Sequence, residues 1–127
     1  MPLNQGSVRL FSVKPFMPRD YKAYLEDIVQ AAQKINRYIS GLSLQTFSSD
    51  EKTIDAVVRN LEVIGEAVRN IPVDIRERYP EIEWRRIAGL RNILIHEYFA
   101  ISMKIIWDIA RNKLPILEKE IKKIIKG

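Results

Sequence analysis

The stretch from Asp20 to Gly41, DYKAYLEDIVQAAQKINRYISG, decides the architecture. Tyr21, Tyr24, Leu25, Ile28, Ala32, Ile35 and Ile39 recur three and four residues apart. Wound into a helix they form one apolar stripe with the charged residues opposite. Asp20 supplies a capping oxygen at one end and Gly41 a residue suited to stop the helix at the other, so one long amphipathic helix is predicted between them.

The same period continues downstream. Leu42 to Phe47 reads as a loop, and Ser48-Ser49-Asp50-Glu51 as a capping box with Ser48 at the cap and Glu51 reaching back. A second helix then runs to about Asn70 on a stripe of Ile54, Val57, Val58, Leu61, Ile64 and Val68. Pro72 lies beyond it, Val73 to Tyr79 reads as a short helical turn, and Pro80 stops that turn. Trp84 to about Glu97 makes a third main helix and Ile101 to about Lys126 a fourth, in which Pro115 predicts a kink or a break. Nothing alternates with period two for long enough to form a strand. The expected fold is all-α, an up-down four-helix bundle with an extra short helix. Upstream, Pro2, Gly6, Pro15 and Pro18 interrupt any period. Residues 1–18 therefore read as a flexible or extended arm and residues 19–127 as a single helical domain, with Met17-Pro18-Arg19-Asp20 resembling a domain start.

Composition narrows the function classes. At 127 residues, 46% of them hydrophobic, the chain suits one soluble domain. It has no cysteine, which excludes a disulfide framework and a thiolate zinc site. No apolar run is long enough to span a bilayer and no secretory h-region is visible, so a cytoplasmic, non-membrane protein is expected. The net charge of +5 would suggest a nucleic-acid face, but it is unevenly spread. Residues 1–19 carry three cations and no acid, residues 111–127 six cations and two acids, and the body between them twelve cations and fourteen acids.

One segment does not read as plain core: Gly89-Leu90-Arg91-Asn92-Ile93-Leu94-Ile95-His96-Glu97-Tyr98. It holds the single histidine of the chain. On a helix, Arg91 and Tyr98 fall within about 20° of each other and Asn92 and His96 within about 40°, so four polar groups border adjoining faces. Histidine accepts and donates protons near neutrality. Arginine offers a permanent charge in a fork that fits phosphate, and asparagine can orient a substrate oxygen. These are parts for metal-independent RNA cleavage: the 2′-hydroxyl attacks its own phosphodiester, His96 moves the proton and Arg91 holds the developing charge. A symmetric dimer would supply a second histidine. The competing reading is a structural histidine that caps or crosses helices, with Arg91 in an ion pair with Glu97 or Asp108.

The remaining candidates have plainer explanations. Tyr21, Tyr24, Trp84 and Trp107 lie at helical spacing and read as core rather than as base-stacking platforms. Asp55, Glu62 and Glu66 lack the histidine partners of a di-metal carboxylate bundle, so no metal and no cofactor are expected. Asn60 and Glu66 on the second helix read as support that orients Arg91 or His96, and the lysine-rich C-terminal segment as a solvated face.

The motif Arg91-x4-His96-x-Tyr98 resembles the signature of HepT-like toxins of the HEPN superfamily. Its surroundings agree: Arg59-Asn60-Leu61-Glu62-Val63-Ile64-Gly65-Glu66-Ala67, Tyr79-Pro80-Glu81-Ile82-Glu83-Trp84, Gly89-Leu90-Arg91-Asn92, then Trp107 and Leu114-Pro115. The likeness spans about Met17 to Ile125. It implies an all-helical homodimer with two motifs at a shared cleft, acting as a metal-independent ribonuclease on transfer or messenger RNA. Arg91 and His96 would be catalytic, with Asn92 the polar residue after the arginine. The implied partner is an MNT-type nucleotidyltransferase antitoxin that attaches AMP to the motif tyrosine, here Tyr98, placing bulk and negative charge beside Arg91. The sequence thus predicts the toxin of a toxin–antitoxin pair; the alternative is a non-catalytic HEPN module that binds a nucleotide or a partner.

Overall fold

The computed structural model describes residues 20–96 and 101–127. The N-terminal arm expected over residues 1–18 lies outside them. The elements are α1 (Tyr21–Ile39), α2 (Leu44–Ser48), α3 (Glu51–Arg69), α4 (Val73–Arg78), α5 (Trp84–His96), α6 (Met103–Asp108), a π-helical turn (Ile109–Lys113) and α7 (Leu114–Lys126). The described residues contain no strand, as the helical period predicts. Among them no helix is long and apolar enough to cross a membrane.

The long helices bury the stripes that the sequence marks. Leu25, Ile28, Ile35 and Ile39 of α1 meet Val57, Leu61, Ile64 and Val68 of α3, with Leu114, Leu117, Ile121 and Ile124 of α7 closing the core. Each such side chain contributes about 1.5–3 kcal/mol relative to exposure. α1 packs chiefly on α3 and α7, and α5 lies against α3. The four aromatic residues read as core do pack there: Trp84 is buried, Tyr21 and Tyr24 lie partly buried against the cluster, and Trp107 stacks at a tilt on Phe47 with ring centroids 5.2 Å apart.

The helix ends follow local chemistry. Asp20 caps α1 by accepting from the Lys22 amide at 3.2 Å, and Gly41 turns the chain after it with a φ of 80°. Leu42 to Phe47 is not simply a loop. Ser43 and Thr46 exchange side-chain and backbone hydrogen bonds in a reciprocal cap that starts the short helix α2. The expected capping box at Ser48 is also displaced. Ser48 ends α2, its hydroxyl donating to the Leu44 carbonyl at 2.7 Å, and Asp50 caps α3 instead. Asp50 accepts from the Thr53 hydroxyl at 2.7 Å and the Thr53 amide at 3.1 Å. Those bonds, the hydroxyl's first, hold its carboxyl below the ordinary aspartate range.

Pro115 neither breaks the fourth helix nor stops it. The chain widens by one π turn before it: the Leu114 amide reaches back to the Ile109 carbonyl, and Pro115 falls in the first turn of α7, where its missing N–H does little harm. The lysines of α7 lie on its exposed face, with Lys122 paired to Glu118 at 2.8 Å.

Candidate functional site

α5 carries the motif, and it is the least buried of the long helices. Of its thirteen residues only Trp84 and Leu94 are buried. Trp84 anchors the start, its indole N–H donating to the Tyr79 carbonyl at 3.0 Å. Between these anchors the helix is held close to α3 by a glycine. A Cβ placed on Gly65 would stand 2.8 Å from the Arg91 Cβ, 3.2 Å from the Ile87 carbonyl oxygen and 3.3 Å from the Arg91 amide nitrogen. Only a residue without a side chain allows the two backbones this approach. The sequence shows Gly65 as a helix-interior glycine, a signal of close packing, but not what it faces.

Close approach brings the next residue of α3 into reach of the motif. Glu66 Oε1 lies 2.9 Å from Arg91 Nε, with the arginine side chain 32% exposed and the glutamate 54%. The ion pair engages Nε and leaves both terminal nitrogens available to a ligand. Of the two partners that the sequence offered, Asp108 accepts from the Asn112 side-chain amide at 2.7 Å, and Glu97 lies outside the described residues.

The other predicted site residues divide. Asn92 and His96 are exposed on α5, and among the described residues nothing hydrogen-bonds to either side chain. They share a face turned away from α3, so the structure brings Arg91 to Glu66 and leaves Asn92 and His96 beside it on the open side. Asn60 does not reach the motif: its amide donates to the Ala56 carbonyl of its own helix at 2.8 Å. Tyr98 lies outside the described residues. Glu62 and Glu66 are engaged separately, Glu62 with Arg59 at 3.8 Å and Glu66 with Arg91.

On either side of the Asn92–His96 face stand Ile93 and Ile95, 42% and 44% exposed. Chemically, the site offers one paired cation, one amide and one imidazole without a partner among the described residues, all along a single helix. Side chains of these types can bind an anionic oxygen and move a proton.

Comparison with known proteins bears on this arrangement. The family model described as Ribonuclease HepT-like matches residues 28–124. The chain is 47% identical to a candidate RNase of Methanocaldococcus jannaschii over 111 residues, covering 87% of this chain and 92% of the relative. It is 41% identical over 104 residues to a candidate RNase of Caldanaerobacter subterraneus, covering 82% and 93%. It is also 40% identical over 110 residues to a protein of Thermococcus cleftensis named a probable ribonuclease HepT, covering 87% of this chain and all of that one. No solved structure matches.

Proposed function

The chain belongs to the HepT-like ribonuclease family, and from that premise we propose that it is a ribonuclease toxin held in check by a nucleotidyltransferase antitoxin. It acts in the cytoplasm as a homodimer, on transfer or messenger RNA, and without a metal. The observation that carries the reading is the Arg91–Glu66 pair beside the open Asn92–His96 face.

The chemistry follows from that geometry. An RNA 2′-oxygen attacks the adjacent phosphorus, and His96 takes its proton. Arg91, already oriented by Glu66, stabilises the dianionic transition state, and Asn92 orients a phosphate oxygen. The bond to the 5′-oxygen breaks, that oxygen gains a proton from the second copy's imidazole, and a 2′,3′-cyclic phosphate and a 5′-hydroxyl remain. An AMP group on Tyr98, transferred from ATP with release of pyrophosphate, would add negative charge within two residues of His96 and repel RNA.

Two measurements test this. Intact mass of the chain, made with and without its nucleotidyltransferase, should show added AMP on Tyr98 together with loss of RNA cleavage in EDTA. Arg91→Ala and His96→Ala should each abolish cleavage with unchanged helical circular dichroism. Cleavage retained by either folded variant sinks the catalytic assignment. Absence of both added mass and cleavage would mark the chain as a non-catalytic binding module.

A further inference from the structure

The outward face of α5 holds more than the motif. Measured from Arg85, the positions of Gly89, Asn92 and His96 all fall within about 40° around the helix, so one stripe runs from its start to its end, a rise of about 16 Å. Arg85, Asn92 and His96 are exposed. The other two arginines of α5 are committed, Arg86 to Glu83 at 3.0 Å and Arg91 to Glu66 at 2.9 Å, whereas Arg85 has no ion pair among the described residues.

Gly89, in the middle of the stripe, packs closely against nothing among the described residues. A Cβ built on it meets nothing within 4 Å, and its φ is not positive. Glycine is a poor helix former, and here neither its conformation nor packing among the described residues requires it. A bare stretch of helix between two polar ends is what a strand lying close along the helix needs.

At the start of α5 the stripe meets a groove of about 530 Å³ bordered by α4 residues. Pro80, Ile82 and Trp84 form its apolar side, and its charges are Arg76, Arg85 and Arg86 against Glu77 and Glu83. Glu83 is taken by Arg86, which leaves Arg76 and Arg85 against Glu77. The Arg76 Nε is buried with no hydrogen-bond partner among the described residues, a deficit that an anionic oxygen in the groove would relieve.

Building on the ribonuclease reading, we infer that the substrate strand leaves the motif along the Arg85–Gly89–Asn92–His96 stripe. Arg85 and Arg76 then hold a phosphate of that strand in the groove at the start of α5, away from the cut. A rise of about 16 Å exceeds the spacing of neighbouring phosphates on a strand, so this is a second anionic contact and not part of the scissile one. Arg85 and Arg76 are positioning residues for substrate; they do not touch the reacting atoms.

The test uses the full chain carrying His96→Ala, so that RNA survives, and a labelled single-stranded RNA long enough to span the helix. Adding Arg85→Ala should weaken binding and make the slope of log affinity against log salt shallower by about 0.7, one single-strand phosphate contact. Adding Gly89→Ala should weaken binding while raising thermal stability. In the chain with His96 intact, Arg85→Ala should raise KM by about threefold to tenfold with most of the loss outside kcat, and less on a dinucleotide too short to reach the groove.

Unchanged affinity and salt slope in Arg85→Ala, with cleavage by the parent chain intact, would overturn the inference and spare the ribonuclease reading. No RNA binding by the His96→Ala chain and no cleavage by the parent would overturn both. A fall in sedimentation coefficient on Arg85→Ala or Gly89→Ala would show that a second copy, not RNA, covers the stripe, and would also overturn it.

Discussion

Gly65→Ala probes the contact on which the site rests. The new methyl would begin 2.8 Å from the Arg91 Cβ. Carbon atoms in contact settle at about 3.5–4.0 Å, so α5 would have to retreat by about 0.7–1.2 Å. Overpacking of this kind costs about 1–3 kcal/mol. Replacing a helix-interior glycine with alanine returns about 0.8–1.0 kcal/mol through helix propensity. The net loss is therefore about 0–2 kcal/mol, a fall in Tm of up to about 10 °C. Gly89→Ala is the internal control, because it brings the same propensity gain into open space and should raise Tm by several degrees. The difference between the two variants cancels propensity and isolates the clash, at about 1–3 kcal/mol. Thermal melts by circular dichroism measure it. The effect on RNA cleavage should be larger, because a misplacement of about 1 Å in a positioned group can reduce rate by about a hundredfold. The reasoning is refuted if Gly65→Ala melts as high as Gly89→Ala and cleaves RNA at the parental rate.

Two further outcomes follow from contacts already described. Glu66→Gln should leave stability within about 1 kcal/mol, because the pair is substantially exposed, yet lower kcat by releasing the Arg91 guanidinium; equal kcat in a steady-state cleavage assay would show the pair to be incidental. Asp50 has a folded pKa below its unfolded one, so its contribution is present above the ordinary aspartate range and is lost as pH falls through the folded value. Asp50→Asn should therefore be less stable than the parent at neutral pH, with the gap narrowing as pH drops below about 4 in pH-dependent denaturation.

The long helices were legible because amphipathic period is a local property: the stripe Leu25, Ile28, Ile35, Ile39 lies in the chain whatever packs against it. The helix starts were less so. Ser48 and Asp50 both offer capping oxygens, and the choice turned on Ser43 and Thr46 having already begun a short helix that consumes Ser48. The π turn at Ile109–Lys113 left no side-chain signature beyond the proline it accommodates. At the site, Arg91, Asn92 and His96 stand out by residue type and spacing alone. That Glu66 meets Arg91, while Asn60 bonds to its own helix, depends on how two helices cross, and the crossing is set by Gly65, whose importance lies in an absent side chain.

The split between a held arginine and an unheld histidine matches what the proposed reaction asks of each. A charge stabiliser works best when fixed before the charge develops, which Glu66 does for Arg91. A proton carrier must act as acceptor and then as donor, and His96 has no partner among the described residues to commit it to either role. In an in-line displacement the attacking and leaving oxygens lie on opposite sides of phosphorus, so one imidazole cannot serve both at once. The chain has a single histidine, so under the proposed reaction a second imidazole would come from another copy. Co-refolding equal amounts of parent and His96→Ala chains distinguishes a shared site from independent ones. Random pairing leaves about a quarter of the dimers with two histidines. If each site draws on both chains, cleavage falls to about a quarter of that of the same total of parent protein; if each chain works alone, it falls to about a half. A half would remove the need for a second histidine and leave His96 to carry both proton transfers in sequence.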